Sequence, residues 1–248
     1  MEKTKKNSIF KKILILLTIW LLVLSPAIGL WGLIEIANDE TLPKIKELEN
    51  PKTDLASVIY SSDLVNLGKY YHENRTNIHY NYLPKSLINA LIATEDERFF
   101  EHSGIDIRAL GRVFKGVVTG NLKGGGSTIT QQLAKLLFPR KKLTKFEFAL
   151  RKIKEWIIAS KLEKNYTKEE ILAMYLNKFD FLNNAVGINS ASQVYFNKTP
   201  SQLALHESAM LVGMAKNPSL FNPVRRPDTV FKRRGVVLYQ MFKNNYIS

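Results

Sequence analysis

Residues 13–34 run for 22 positions without a charge, ILILLTIWLLVLSPAIGLWGLI. At ~1.5 Å rise per residue such a run matches the roughly 30 Å hydrocarbon layer of a bilayer. A buried soluble helix is rarely apolar all round for so long. Trp20 and Trp31 add amphipathic rings, Trp31 near one end, where an interfacial anchor belongs. Lys3, Lys5, Lys6, Lys11 and Lys12 precede the run, and Glu35, Asp39 and Glu40 follow it. The positive-inside bias therefore predicts a cytoplasmic tail over 1–12, a single uncleaved anchor over 13–36 and everything later on the outer face. A cleaved signal peptide fits less well, since its apolar core is ~7–15 residues and Ser25-Pro26-Ala27 is a poor cleavage site.

Of 248 residues none is cysteine, which excludes disulfides, a lipidated cysteine and thiolate metal sites. The four histidines, 72, 79, 102 and 206, have no zinc spacing. The net charge is +14, and +10 remains once the tail's five lysines and one glutamate are set aside. A basic domain tethered outside a membrane suits anionic lipid or a phosphate-bearing substrate, and its compartment disfavours nucleic acid.

Residues 37–83 read as a linker, with short strands expected at Ser57-Val58-Ile59-Tyr60 and around the tyrosines at 70, 71, 80 and 82. From 84 to 248 the signals are helical. Leu87, Ile88 and Leu91 lead at helical spacing to Thr94-Glu95-Asp96, and helices are expected over 106–118, 145–163 and 228–243. Thr128/Gln131, Thr144/Glu147, Thr167/Glu170 and Thr199/Gln202 have capping-box spacing, the last with Pro200 at the first helical position. The body should be mainly α.

Two constellations carry chemistry. Gly125-Gly126-Ser127-Thr128-Ile129-Thr130-Gln131-Gln132 puts glycines and hydroxyls at a helix start, where backbone N–H groups and the helix dipole favour an anion. Glu95-Asp96 shortly before it supplies carboxylates for proton transfer. In the helix over 145–163, Phe146, Ala149, Leu150, Ile153, Trp156 and Ile157 gather on one face. Arg151, Lys152 and Glu155 share the other, where a solvated i,i+4 ion pair is the plain expectation.

These stretches together resemble the peptidoglycan glycosyltransferases, the polymerase module of class A penicillin-binding proteins and of the monofunctional enzymes. Residues 95–104, EDERFFEHSG, match the family's EDxxFxxHxG; 126–132 match GSTITQQ; 151–155 match RKxxE; and 168–177 match KxxILxxYLN. Glu207-Ser208-Ala209-Met210-Leu211 with Asn217-Pro218 resembles a late helix of the family. Departures are Leu136 for a frequent asparagine, Glu147 for a common arginine, and Asp180-Phe181-Leu182 for Tyr-Phe-Gly.

The resemblance implies a lysozyme-like lobe with a small membrane-associated jaw at about 104–125, where Val113, Phe114, Val117 and Val118 stand beside Arg112, Lys115 and Lys123. It implies polymerisation of lipid II, with inversion, at the outer face of a bacterial cytoplasmic membrane. The 4-hydroxyl of an acceptor sugar attacks a growing chain carried on a lipid pyrophosphate. A sugar hydroxyl is a poor nucleophile at neutral pH, so a base must take its proton; Glu95 matches that base. Lys135, Arg151 and Lys152, with the Ser127–Gln132 helix start, match the groups that meet the departing pyrophosphate. Glu155 matches the second essential carboxylate, and two roles are open to it. It could hold a divalent ion, Mg or Mn, or orient the basic residues; no organic cofactor is expected.

Asp96 and His102 fit holding roles, Phe99 follows at the family's position, and Thr128, Gln131 and Gln132 fit capping or sugar contact. Implied partners are lipid II, the growing glycan, membrane lipids and other wall-synthesis proteins. A lysozyme-like glycan hydrolase and an inactive anchored scaffold are the rival readings. Ser8-Ile9-Phe10-Lys11 is the only Ser-x-x-Lys, without the other transpeptidase elements, and a fragment of a longer protein is expected.

Overall fold

The computed structural model describes residues 57–64, 66–70, 77–121, 125–138 and 142–248, with scattered positions between 15 and 37. The tail over 1–12 and much of the anchor over 13–36 and of the linker lie outside the described residues. Described positions within the uncharged run, such as Trp20, Leu24, Ile28 and Trp31, are helical and exposed. No helix among the described residues is long and apolar enough to cross a membrane. The chain divides into two compact units, one of 1–42 with 141–157 and one of 43–140 with 158–248.

The larger unit is mainly helical, as expected. It opens with an antiparallel hairpin of β1 (Ser57–Tyr60) and β2 (Asn66–Tyr70), Ser57 facing Tyr70 and a register shift falling at Ile59/Tyr60. The stretch Tyr80–Tyr82, where strand or linker is expected, is a single 3₁₀ turn. Helices α1 (Lys85–Glu95), α2 (Ile107–Val118) and α3 (Ile129–Lys135) follow. After α4 (Lys145–Asn165), which passes from one unit to the other, come α5 (Lys168–Lys178), α6 (Ile188–Phe196), α7 (Leu205–Ala215) and α8 (Pro227–Lys243).

α1, α7 and α8 pack on one another, and α3 packs on α5. Their shared core includes Leu87, Leu91, Ile129, Leu133, Leu172, Tyr175, Leu211 and Val237, all buried. Burying one such side chain is worth roughly 1.5–3 kcal/mol, so these contacts rather than helix propensity hold the elements in place.

Two of the four expected capping boxes close in full, at Thr144/Glu147 and Thr167/Glu170, while at Thr199/Gln202 the Gln202 side chain accepts the Thr199 N–H at 3.1 Å and the Gln202 N–H goes to the Thr199 carbonyl. The fourth closes by half. Thr128 accepts the Gln131 N–H at 3.1 Å, but the Gln131 side chain turns to the Gly104 carbonyl, 3.2 Å away. The Gln131 amide donates to a distant carbonyl and does not return to the Thr128 N–H.

The predicted apolar face of α4 is only partly enclosed. Phe146 is 60% exposed, whereas Glu155, expected on a solvated face, is 2% exposed. In α2, Ile107, Phe114, Val117 and Val118 all face outward, and its buried positions are Ala109 and Gly116. Gly126 approaches α2 closely, and a Cβ there would lie 3.1 Å from Val113 Cγ2.

Candidate active site

A cleft of about 620 Å³ opens in the larger unit where the ends of α1, α3 and α8 converge. Glu95, the last residue of α1, lines it with Asp96, Ser127, Thr128 and Gln132. Gln132 donates its Nε2–H to Glu95 Oε2 at 3.0 Å, and Arg233 of α8 stands 3.5 Å from Glu95 Oε1. The amide of Gln132 is itself fixed, because the Tyr175 hydroxyl donates to its Oε1 at 3.1 Å. Burial, with the Glu95 carboxylate nearby, pushes the Tyr175 phenol well above its usual value, so it stays a donor.

Asp96 differs from its neighbour in its partners, an imidazole and a backbone N–H. His102 Nε2 lies 3.0 and 3.1 Å from its two oxygens, and Oδ2 accepts the Ile129 N–H at 3.0 Å. A carboxylate only accepts, so the imidazole proton sits on Nε2. Asp96 thereby joins the loop after α1 to the first turn of α3.

The loop is pinned a second time at Gly104. Its carbonyl accepts from the Thr128 hydroxyl at 2.7 Å and from Gln131 Nε2. Gly104 has φ +85°, and a Cβ there would lie 2.9 Å from the Ala159 carbonyl oxygen, so the position needs glycine. Lys168 completes the frame. Its Nζ donates to the His102 carbonyl at 2.6 Å and to Glu163, lies 4.3 Å from the centre of the buried Phe99 ring, and shares Glu163 with the Thr130 hydroxyl.

The structure thus gathers Glu95, Asp96, Ser127, Thr128 and Gln132 at the cleft and sets Phe99, His102 and Gln131 behind it. Lys135 ends α3 exposed and is not among the residues lining the cleft. Arg151, Lys152 and Glu155 form their own cluster in the smaller unit. Lys152 Nζ is 2.6 Å from Glu155 Oε2 and Arg151 Nε 3.5 Å from Oε1. Among the described residues no three His, Cys, Asp or Glu are gathered to hold a metal ion. Glu155, for which holding an ion and orienting the basic residues are both open, is paired with two cations.

Arg233, Lys216 and Lys243, which the sequence reading missed, also line the cleft, together with Arg112 of the expected jaw. Arg233 sits inside the basic run 232–234, which reads as a solvated patch. A helical phase count against Val230, Val237 and Met241, the buried positions of α8, would have turned it inward. Chemically, the cleft pairs a proton acceptor with surrounding cations that suit an anionic ligand.

A family model described as transglycosylase matches residues 63–242. Penicillin-binding protein 1F of Bacillus subtilis (strain 168) is 39% identical over 249 residues, covering 100% of this chain and 33% of that protein. Penicillin-binding protein 1A of Escherichia coli (strain K12) is 39% identical over 208 residues, covering 84% of this chain and 24% of that protein. Penicillin-binding protein 1A/1B of Bacillus subtilis (strain 168) is 38% identical over 255 residues, covering 100% of this chain and 26% of that protein. The chain therefore spans between a quarter and a third of the length of these relatives. By the match over 63–242, it belongs to the transglycosylase family.

Proposed function

We propose that this chain is a peptidoglycan glycosyltransferase that polymerises lipid II. The observation that carries the reading is Glu95, a carboxylate fixed by Gln132 in a cleft also lined by Arg112, Lys216, Arg233 and Lys243. In the reaction the acceptor's 4-hydroxyl gives its proton to Glu95 as its oxygen attacks the anomeric carbon. The bond to the diphosphate breaks with its electron pair leaving on the phosphate. Asp96 holds the α3 start in register, and Lys135, Arg151 and Lys152, with the Ser127–Gln132 helix start, compensate the charge that develops on the leaving group.

On this reading Arg151 and Lys152 are donor-side cations and Glu155 orients them, since its pairing leaves it a poor metal ligand by itself. A divalent ion would fit only by taking most of its ligands from the diphosphate. The outward Phe114, Val117 and Val118 beside Arg112 and Lys115 support contact of α2 with lipid, and the uncharged run 13–34 supports a single anchor in the cytoplasmic membrane with the cleft outside.

Incubating the full chain in detergent with lipid II should yield glycan polymer, and with polymeric glycan should yield no cleavage. Glu95→Gln should lower polymerisation by about 10²–10⁴-fold while the protein stays folded and still binds a donor-mimicking inhibitor of the moenomycin type. Near-normal polymerisation by folded Glu95→Gln would move the base to Asp96. Cleavage of polymer would favour the hydrolase.

A further inference from the structure

α7 and α8 meet where Gly213 faces Arg233. A Cβ on Gly213 would stand 3.1 Å from Arg233 Cγ, so the missing side chain is what lets the arginine stem lie along α7. From there Arg233 Nε donates to the Gly213 carbonyl at 3.3 Å, and the guanidinium lies 5.6 Å from the centre of the Phe221 ring. Its Nη2 reaches Glu95 Oε1 at 3.5 Å, with the arginine side chain 10% exposed and the glutamate 14%. Burial pulls the guanidinium below its usual value, and the Glu95 carboxylate opposes that pull. The opposite oxygen of Glu95 is taken by Gln132, whose amide Tyr175 fixes.

We propose that Arg233 and Gln132 form a two-point clamp that sets the plane of the Glu95 carboxylate, with Gly213 as the notch that admits the arginine. The proposal rests on the reading of Glu95 as the base. A carboxylate held at one oxygen swivels about its stem. Held at both oxygens from two different helices, it keeps one orientation, and a base works only where its lone pair meets the proton it takes. Arg233 acts through Glu95 and is a positioning residue. It takes no proton and breaks no bond.

The full chain in detergent, turning over lipid II, tests this. Arg233→Ala should lower kcat on the order of 10²-fold, the scale of a small misplacement of a reacting group, with KM little changed. Added guanidinium ions should restore part of the loss, and Arg233→Lys should retain more rate than Arg233→Ala. In the Glu95→Gln background Arg233→Ala should cost nothing further. Gly213→Ala should lower kcat in the same direction, but not once Arg233 is already alanine. A loss confined to KM, or a loss that repeats in full in the Glu95→Gln background, would overturn the clamp and assign Arg233 to the substrate.

A thermal-unfolding cycle of Glu95→Gln, Arg233→Met and the double variant gives a readout without turnover. Coupling between the two sites is expected. Its absence overturns the clamp even if lipid II is polymerised, whereas coupling in a wild-type chain that never polymerises lipid II overturns the proposed reaction instead.

Discussion

Asp96 and Ile129, 33 residues apart, are joined by a single hydrogen bond of 3.0 Å from the backbone N–H of Ile129 to Asp96 Oδ2. Ile129 is the first residue of α3, so the bond satisfies one of the orphan N–H groups of a helix start and sets a carboxylate at the positive end of the dipole. The same carboxylate receives His102. Asp96→Ala should therefore act on the fold, lowering the unfolding free energy by about 1–3 kcal/mol, while Glu95→Gln lowers it less. Denaturation midpoints of the two variants check this. Equal losses would place both carboxylates in one role.

On the donor side, Lys135→Ala should cost on the order of 10²–10³ in rate if its charge meets the pyrophosphate. Its exposure at the end of α3, away from the cleft lining, makes this the sharpest test of the residue. Glu155→Gln should change donor affinity instead, since Arg151 and Lys152 lose the carboxylate they share. Measuring lipid II turnover and inhibitor binding, each with and without a chelator, separates the orienting role from a metal-holding one. Unaltered donor affinity together with lost metal dependence would favour the ion.

The exposed apolar face of α2 gives a third expectation. Burying a large apolar side chain in lipid is worth roughly 1.5–3 kcal/mol. Phe114→Ser with Val118→Ser should thus reduce turnover in liposomes by about tenfold or more and leave turnover in detergent near its starting value. Removing residues 1–36 should show the same contrast, because a tether raises the effective concentration of a membrane-confined substrate. Equal loss in both media would mean that these segments shape the cleft itself.

Acid stability depends on Asp106, the N-cap of α2, which accepts the Ala109 N–H at 2.9 Å and pairs with Arg98. Burial alone would raise its carboxyl. The Ala109 N–H and the Arg98 guanidinium outweigh it and hold the carboxyl below its ordinary 3.8. A folded value below the unfolded one means stability that is fully present above 3.8 and is lost as pH falls through the folded value. The gap in Tm between the wild type and Asp106→Asn should be constant from neutral pH down to about 5 and shrink below 3.8. A gap that persists unchanged into stronger acid would show that the cap, and not the charge, supplies it.

Much of this was legible along the chain. The helices over 107–118, 145–165 and 227–243 fall within two residues of their expected bounds, because caps and 3.6-residue periodicity are local properties. The residues Glu95, Asp96, Ser127, Thr128 and Gln132 stand in contiguous blocks, so reading the blocks identified them together. The uncharged run over 13–34 and the lysines before it needed only counting.

What sequence could not supply were relations across helices. Which cation of 232–234 turns inward is set by the contact of α8 with α7, and that contact depends on an absent side chain at Gly213. Whether the Gln131 side chain accepts from its own N-cap N–H or donates across to the Gly104 carbonyl depends on where the loop after α1 brings that carbonyl. Likewise the two neighbouring carboxylates look alike in sequence, yet Asp96 takes His102 and the Ile129 N–H while Glu95 takes Gln132 and Arg233. Local pattern determined the helices and the chemical vocabulary. Only tertiary packing decided which groups meet, because burial and hydrogen-bond partners depend on distances between segments far apart in the chain.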